Sequence, residues 1–220
     1  MLRKIVVNRK TVPVPVPIRT LGDLFLWIGQ TLVLPGHSIT QVTLDGKDVS
    51  EHPNPAIVEL GTAAQVEFRI ESPEDLAVQT IEAAINLSSV VQRSLKGAAV
   101  ECWQVRPKSV PVFVDSILSD LDLILELGDH FAALINGAEH CSGRYFEIAS
   151  EFKQVFVGLQ MAKSQSDWRG YARLLLQRLE PLLGELAAEL GAAELSILNK
   201  RSSRLTRSAD TTNYSHAAKV

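Results

Sequence analysis

The chain reads as an α+β protein: a small N-terminal sheet holding one helix, followed by an antiparallel bundle of about four helices. Three observations predict it. Residues 4–70 carry short apolar runs punctuated by Pro and Gly. From Leu76 the apolar positions recur at helical spacing, through Ile81, Ile85, Val91 and Leu95. Between the two lies Ser72-Pro73-Glu74-Asp75, a hydroxyl cap, a Pro for the first turn and two carboxylates for the positive end of the dipole. The expected division is residues 1–71 for the sheet unit, 72–199 for the helical unit and 200–220 for a disordered basic tail.

In the first unit a short alternating run, residues 4–8, predicts a strand. It leads into Val12-Pro13-Val14-Pro15-Val16-Pro17-Ile18, where Pro occupies every second position. Pro cannot donate a ladder hydrogen bond, so a strand here must lie at a protected sheet edge. Thr20 then stands where an N-cap belongs, and Leu21, Leu24, Phe25, Ile28 and Leu32 share one helical face that ends at Pro35-Gly36. Ile39, Val42 and Leu44 lead into Asp45-Gly46, a hairpin signal because both residues tolerate positive φ. After the loop His52-Pro53-Asn54-Pro55, residues 65–70 form the last strand. This order, strand, strand, helix, strand, short pairing, strand, resembles the ubiquitin-like β-grasp fold over residues 1–71, on element order alone. The resemblance implies a small interaction module. The free Gly-Gly end of that fold's conjugated tags and sulfur carriers is replaced here by Ser72-Pro73.

The helical unit opens with a helix from Pro73 to Leu95, with Lys96-Gly97 as its expected stop. Residues 98–105 read either as a continuation or as a short strand before Pro107. A second helix starts near Pro111, carries Val114, Ile117, Leu118, Leu121, Ile124, Leu125, Phe131 and Ile135, and ends at Asn136-Gly137. Tyr145, Ala149, Phe152, Phe156 and Leu159 align on a third after Ser142-Gly143. A fourth begins at Ser166-Asp167, runs from Trp168 to Ile197, and contains Pro181, which is expected to kink it.

A hydrophobic fraction of 46% and a charged fraction of 21% are those of a globular chain. The net charge of −3 is uneven: residues 200–220 hold five basic residues and one acid, so the tail's +4 leaves −7 for the rest. An acidic body is a poor nucleic-acid platform. Neither a secretory leader nor a run of about 18 apolar residues is present, so no membrane span is expected and the setting is read as cytoplasmic. Cys102 and Cys141 fit reduced thiols there.

The most unusual local feature is an acidic stripe. Asp115, Asp122, Glu126 and Asp129 follow steps of seven, four and three, which places them along one helical face, and no Lys or Arg occurs between Lys108 and Arg144. A solvated face is the bland reading and a docking surface for a basic partner, or for the chain's own tail, the sharper one. Metal binding is not expected: Glu126 and His130 stand alone as an acid–histidine pair, and His130, His140 and Cys141 match no zinc spacing. Nucleophile-elbow, P-loop and dinucleotide motifs are missing, so no catalytic residue and no cofactor are assigned and enzyme activity is the minority reading. Trp27 lies in an apolar density greater than one helix face needs, to be covered by the helical unit or a second subunit. For Trp103 core packing leads and an exposed anchor is the alternative.

These readings give a non-enzymatic protein–protein interaction or adaptor protein, with a protein partner of unknown identity and a homodimer as further partner. Trp27, Trp103, Asp115, Asp122, Glu126 and Asp129 are its candidate partner-binding residues. The alternative is a small-molecule binder or enzyme with a pocket at the domain junction.

Overall fold

The strand-rich part of the sequence folds as a five-stranded mixed sheet with one helix packed on it. The computed structural model describes residues 2–14, 18–61, 65–104, 111–134 and 141–214, with side chains through Ser203. The chain divides into Met1–Leu76 and Ala77–Val220.

In the first unit the strands are β1 (Lys4–Val7), β2 (Lys10–Val12), β3 (Ser38–Leu44), β4 (Lys47–Asp48) and β5 (Gln65–Glu71), with helix α1 (Leu21–Thr31) between β2 and β3. Their order across the sheet is β2-β1-β5-β3-β4. The β1–β5 pair is parallel, with Ile5 opposite Val66 and Val7 opposite Phe68, and the other pairs are antiparallel. The edge position expected of the Pro-bearing segment holds, but the strand itself is shorter than the Val-Pro run. β2 ends at Val12, and Pro13 and Val14 lie outside the ladder because each Pro removes a donor; residues 15–17 fall outside the described residues. Asn8 and Arg9, both at positive φ, turn β1 into β2.

Helix α1 is too short to stand alone in water. Its start is fixed by a capping box: the Asp23 N–H donates to Thr20 Oγ1 at 3.1 Å, and the Thr20 N–H donates to the Asp23 carboxylate at 3.1 Å. These bonds hold the Asp23 carboxyl below its usual range. Leu21, Leu24 and Ile28 then bury against Ile5, Val66 and Phe68 of the sheet, each side chain contributing about 1.5–3 kcal/mol. Phe25 meets Phe68 edge to face at 5.6 Å. The Asp45-Gly46 hairpin forms as expected, at φ 49° and 83°.

The second unit is helical: α2 (Pro73–Gln104, whose first turn belongs to the first unit), α3 (Val114–Leu134), α4 (Gly143–Ser164), α5 (Trp168–Leu174) and α6 (Glu180–Tyr214). Helix α2 does not stop at Lys96-Gly97. It continues through Gly97 because Leu95, Ala98, Ala99 and Cys102 keep its inward face buried, which outweighs the cost of about 1 kcal/mol for one helical Gly. Residues 98–104 are therefore helix, and residues 105–108 lie outside the described residues, as do Ile135, Asn136 and Gly137 at the expected end of α3. On α4 the buried face is Tyr145, Ile148, Phe152, Val155 and Leu159; Ala149 and Phe156 sit at its half-buried margin.

A π-helical turn, Leu175–Leu179, joins α5 to α6, and the Glu180 N–H bonds to the Leu175 carbonyl five residues back. It explains how Pro181 is carried inside a helix. The ring crowds the carbonyl four residues before it, that of Gln177, and the wider turn falls there. Helix α6 runs on to Tyr214, so a helical backbone occupies residues 200–214 of the segment expected to be disordered.

Candidate functional site on the acidic side of the helical unit

The charge that α3 lacks is supplied by α4. Lys163 pairs with Asp115, and Lys153 reaches both oxygens of Asp129 at 3.0 and 3.2 Å. The two pairs fix α3 and α4 as antiparallel neighbours and neutralise the ends of the stripe. Asp122 and Glu126, between them, are exposed and have no cation partner among the described residues. The sequence shows four carboxylates on one face; the structure divides them into two neutralised ends and an open centre.

Beside that centre is a groove of about 540 Å3. Asp115 and Asp122 of α3 form one side, Phe156, Gln160 and Lys163 of α4 the other, and Trp168 at the start of α5 stands at its wall. Trp168 is placed by a tight local device. Ser166 takes φ 56°, and Asp167 caps α5 by accepting the Gly170 N–H at 2.9 Å. The indole is 7% exposed, and its Nε1–H has no acceptor among the described residues. Tyr171, one turn on, meets it at 6.3 Å, and its buried hydroxyl is also without a partner. Burial, and then the neighbouring Cys102 and Asp115 groups, push the Tyr171 phenol far above its usual range, so it is a neutral donor.

Neither thiol has the chemistry of a nucleophile at neutral pH. Burial, then Glu101, pushes Cys102 up to about 11, and burial, then Glu189, does the same to Cys141. No group of three or more His, Cys, Asp or Glu side chains is arranged for a metal among the described residues, and His140 is outside them. No described helix is long and apolar enough to cross a membrane.

Of the tryptophans, Trp27 packs half-buried against the core of its own unit. Trp103 is not a core residue: it is 47% exposed, because Ala99 and Cys102 hold the inward face of α2 and the next position turns outward by a helical step of about 100°. Val100 is exposed beside it. Among the candidates, the structure brings Asp115 and Asp122 to one groove, leaves Glu126 and Asp129 along the same stripe, and places Trp27 and Trp103 elsewhere.

Two features escaped sequence reasoning. One is Trp168, which the helical pattern counts as an ordinary core residue. The other is the outward face of α4, where Phe146, Val157 and Met161 are 46%, 52% and 56% exposed. Their signal was available: they fall off the Tyr145–Leu159 face and make α4 apolar on two sides. Ion pairs flank this face, Asp115–Lys163 toward α3 and Arg178–Glu151 and Arg144–Glu185 toward the α5–α6 side, while Lys153, seven residues after Phe146 and four before Val157, lies on it and pairs with Asp129 of α3. No protein-family model, curated protein or solved structure matches the chain.

Proposed function

We propose that this is a non-enzymatic protein–protein interaction protein, an adaptor that self-associates through its helical unit. The first unit is read as β-grasp-like, a reading supported by the order β2-β1-β5-β3-β4 with a parallel central pair and α1 entering after the first hairpin. Fold alone assigns no partner. The interaction reading rests instead on α4. A helix already buried along Tyr145, Ile148, Phe152, Val155 and Leu159 carries three further large apolar side chains outward. Surface of that kind, rimmed by charge, is characteristic of a protein interface.

A second copy is the occupant. The rails on either side of Phe146, Val157 and Met161 contain both signs, Lys and Arg as well as Asp and Glu, and so can complement their own image across a two-fold axis. The free thiols Cys102 and Cys141 support a cytoplasmic setting.

The test is the mass in solution of the wild type and of Val157→Lys/Met161→Lys, by light scattering across a concentration series. Both positions are exposed, so the variant keeps its core. A concentration-dependent dimer in the wild type and a monomer in the variant are expected. Equal masses for the two proteins at every concentration would overturn the assignment of this face.

A further inference from the structure

We propose that the groove between α3, α4 and α5 docks a basic peptide segment, which lays a Lys or Arg side chain across Phe156 with its charge at Asp122. The proposal deepens the adaptor reading, since it names what the adaptor carries, but it rests on residues other than the α4 outer face.

Charge selects the sign of the ligand. Lys163 is already held by Asp115, so the three charged side chains of the groove leave one negative charge, that of Asp122. An anion is repelled. A bare metal ion finds one open carboxylate and no cluster of ligands among the described residues. A guanidinium or ammonium on a flexible stem fits better, because the half-buried Phe156 ring offers an apolar bed for the stem and a π-face for the cation. Gln160, beside it, has both a donor and an acceptor to offer.

The groove wall distinguishes a peptide from a free amine. A buried donor without an acceptor costs about 1–3 kcal/mol, and one belongs to a residue that lines the groove, Trp168 Nε1–H. Its burial closes it to water, so an acceptor that enters with the ligand and draws the indole toward the groove recovers that energy. A peptide brings such an acceptor in every backbone carbonyl, at a fixed distance from its cationic side chain. The volume of about 540 Å3 falls in the usual range of binding sites, about 300–1,000 Å3, and admits a few residues rather than one small amine.

The decisive contrast is between Asp122, which lines the groove, and Glu126, which shares the stripe but does not line it. Calorimetric titration of the full chain with two blocked nine-residue peptides tests it, one with Arg and Lys among Ser and Ala, the other with Glu in their places. The basic peptide should bind one to one and the acidic peptide should not. Asp122→Lys should weaken binding about tenfold, and Glu126→Lys about twofold, which is the loss of one exposed long-range attraction. Trp168→Phe keeps the ring and removes the donor; a loss of about threefold or more is expected, with unchanged salt dependence. Circular dichroism reports whether each variant is folded, and Asp122→Lys, at an exposed site, carries the test if Trp168→Phe is not. Equal losses for Asp122→Lys and Glu126→Lys would reduce the effect to general acidity and overturn the groove, as would binding of the acidic peptide or no binding of either. Val157→Lys/Met161→Lys adds the same positive charge as Glu126→Lys and should lose no more than that variant, about twofold, so failure of the dimer face and failure of the groove are separable.

Discussion

At the scale of single residues, polar positions fix the turn and the helix start around the apolar core of the first unit. Asn8 sits at φ 48° just past β1 and acts as a substitute strand residue: its Nδ2 donates to the Ile70 carbonyl and its Oδ1 accepts the Ile70 N–H, both at 2.8 Å. It thus continues the β1–β5 pairing beyond the point where the backbone turns away. Asn8→Ala removes both bonds, at about 1 kcal/mol each, and puts at positive φ a residue that tolerates it less well than Asn. A loss of about 2–3 kcal/mol is expected in urea denaturation. Asn8→Gly loses the bonds but not the backbone freedom, and should cost about 1 kcal/mol less than Asn8→Ala; equal costs would assign the whole effect to hydrogen bonding. The sequence hid this role, because an Asn before a turn reads as a turn former and nothing in its local spacing points to a partner 62 residues away. Thr20 was legible for the opposite reason: a cap bonds within its own first turn.

At the scale of elements, local punctuation and burial compete, and burial decides the long helices. Lys96-Gly97 is a good stop signal that α2 overrides, since the face it would expose is occupied by Leu95, Ala98, Ala99 and Cys102. Gly97 therefore carries a helix cost with nothing to offset it: no neighbouring heavy atom lies within 4 Å of where its Cβ would stand. Gly97→Ala should stabilise the helical unit by about 0.5–1 kcal/mol, read as a rise in its melting temperature. Gly128 is the control. A Cβ there lies 3.2 Å from Tyr145 Oη, which donates to the Gly128 carbonyl at 3.3 Å, so Gly128→Ala should gain nothing and disturb that bond. If both substitutions stabilise alike, helix propensity alone is at work and the packing argument fails. The same competition explains what was legible in the site. Steps of seven, four and three placed the stripe on one face of α3, but the lysines that neutralise its ends belong to α4, 24 and 48 residues distant. Spacing along one helix cannot show which of its charges a neighbour will meet. Trp103 was misplaced by a single position on α2, and Trp168 was hidden because a wall of a groove and a wall of a core have the same pattern.

At the scale of the whole molecule, the change from strand punctuation to helical spacing marks two separate hydrophobic cores. One is built on Ile5, Leu24, Ile28, Val66 and Phe68, and the other on Ile81, Leu95, Leu121, Phe152, Leu159 and Leu175, with no buried residue in common among the described residues. Cooperative unfolding follows shared burial, because a residue reports on a transition only through the packing that the transition breaks. Each unit should accordingly have its own transition. Phe68→Ala deletes a fully buried ring and its edge-to-face packing on Phe25, at a cost of about 3–5 kcal/mol. In scanning calorimetry it should lower the transition of the sheet unit by many degrees and leave that of the helical unit in place, whereas Leu121→Ala should do the reverse. A single transition that both substitutions shift alike would mean that the two cores melt as one, and that stability is shared across the chain despite its separate sets of buried side chains.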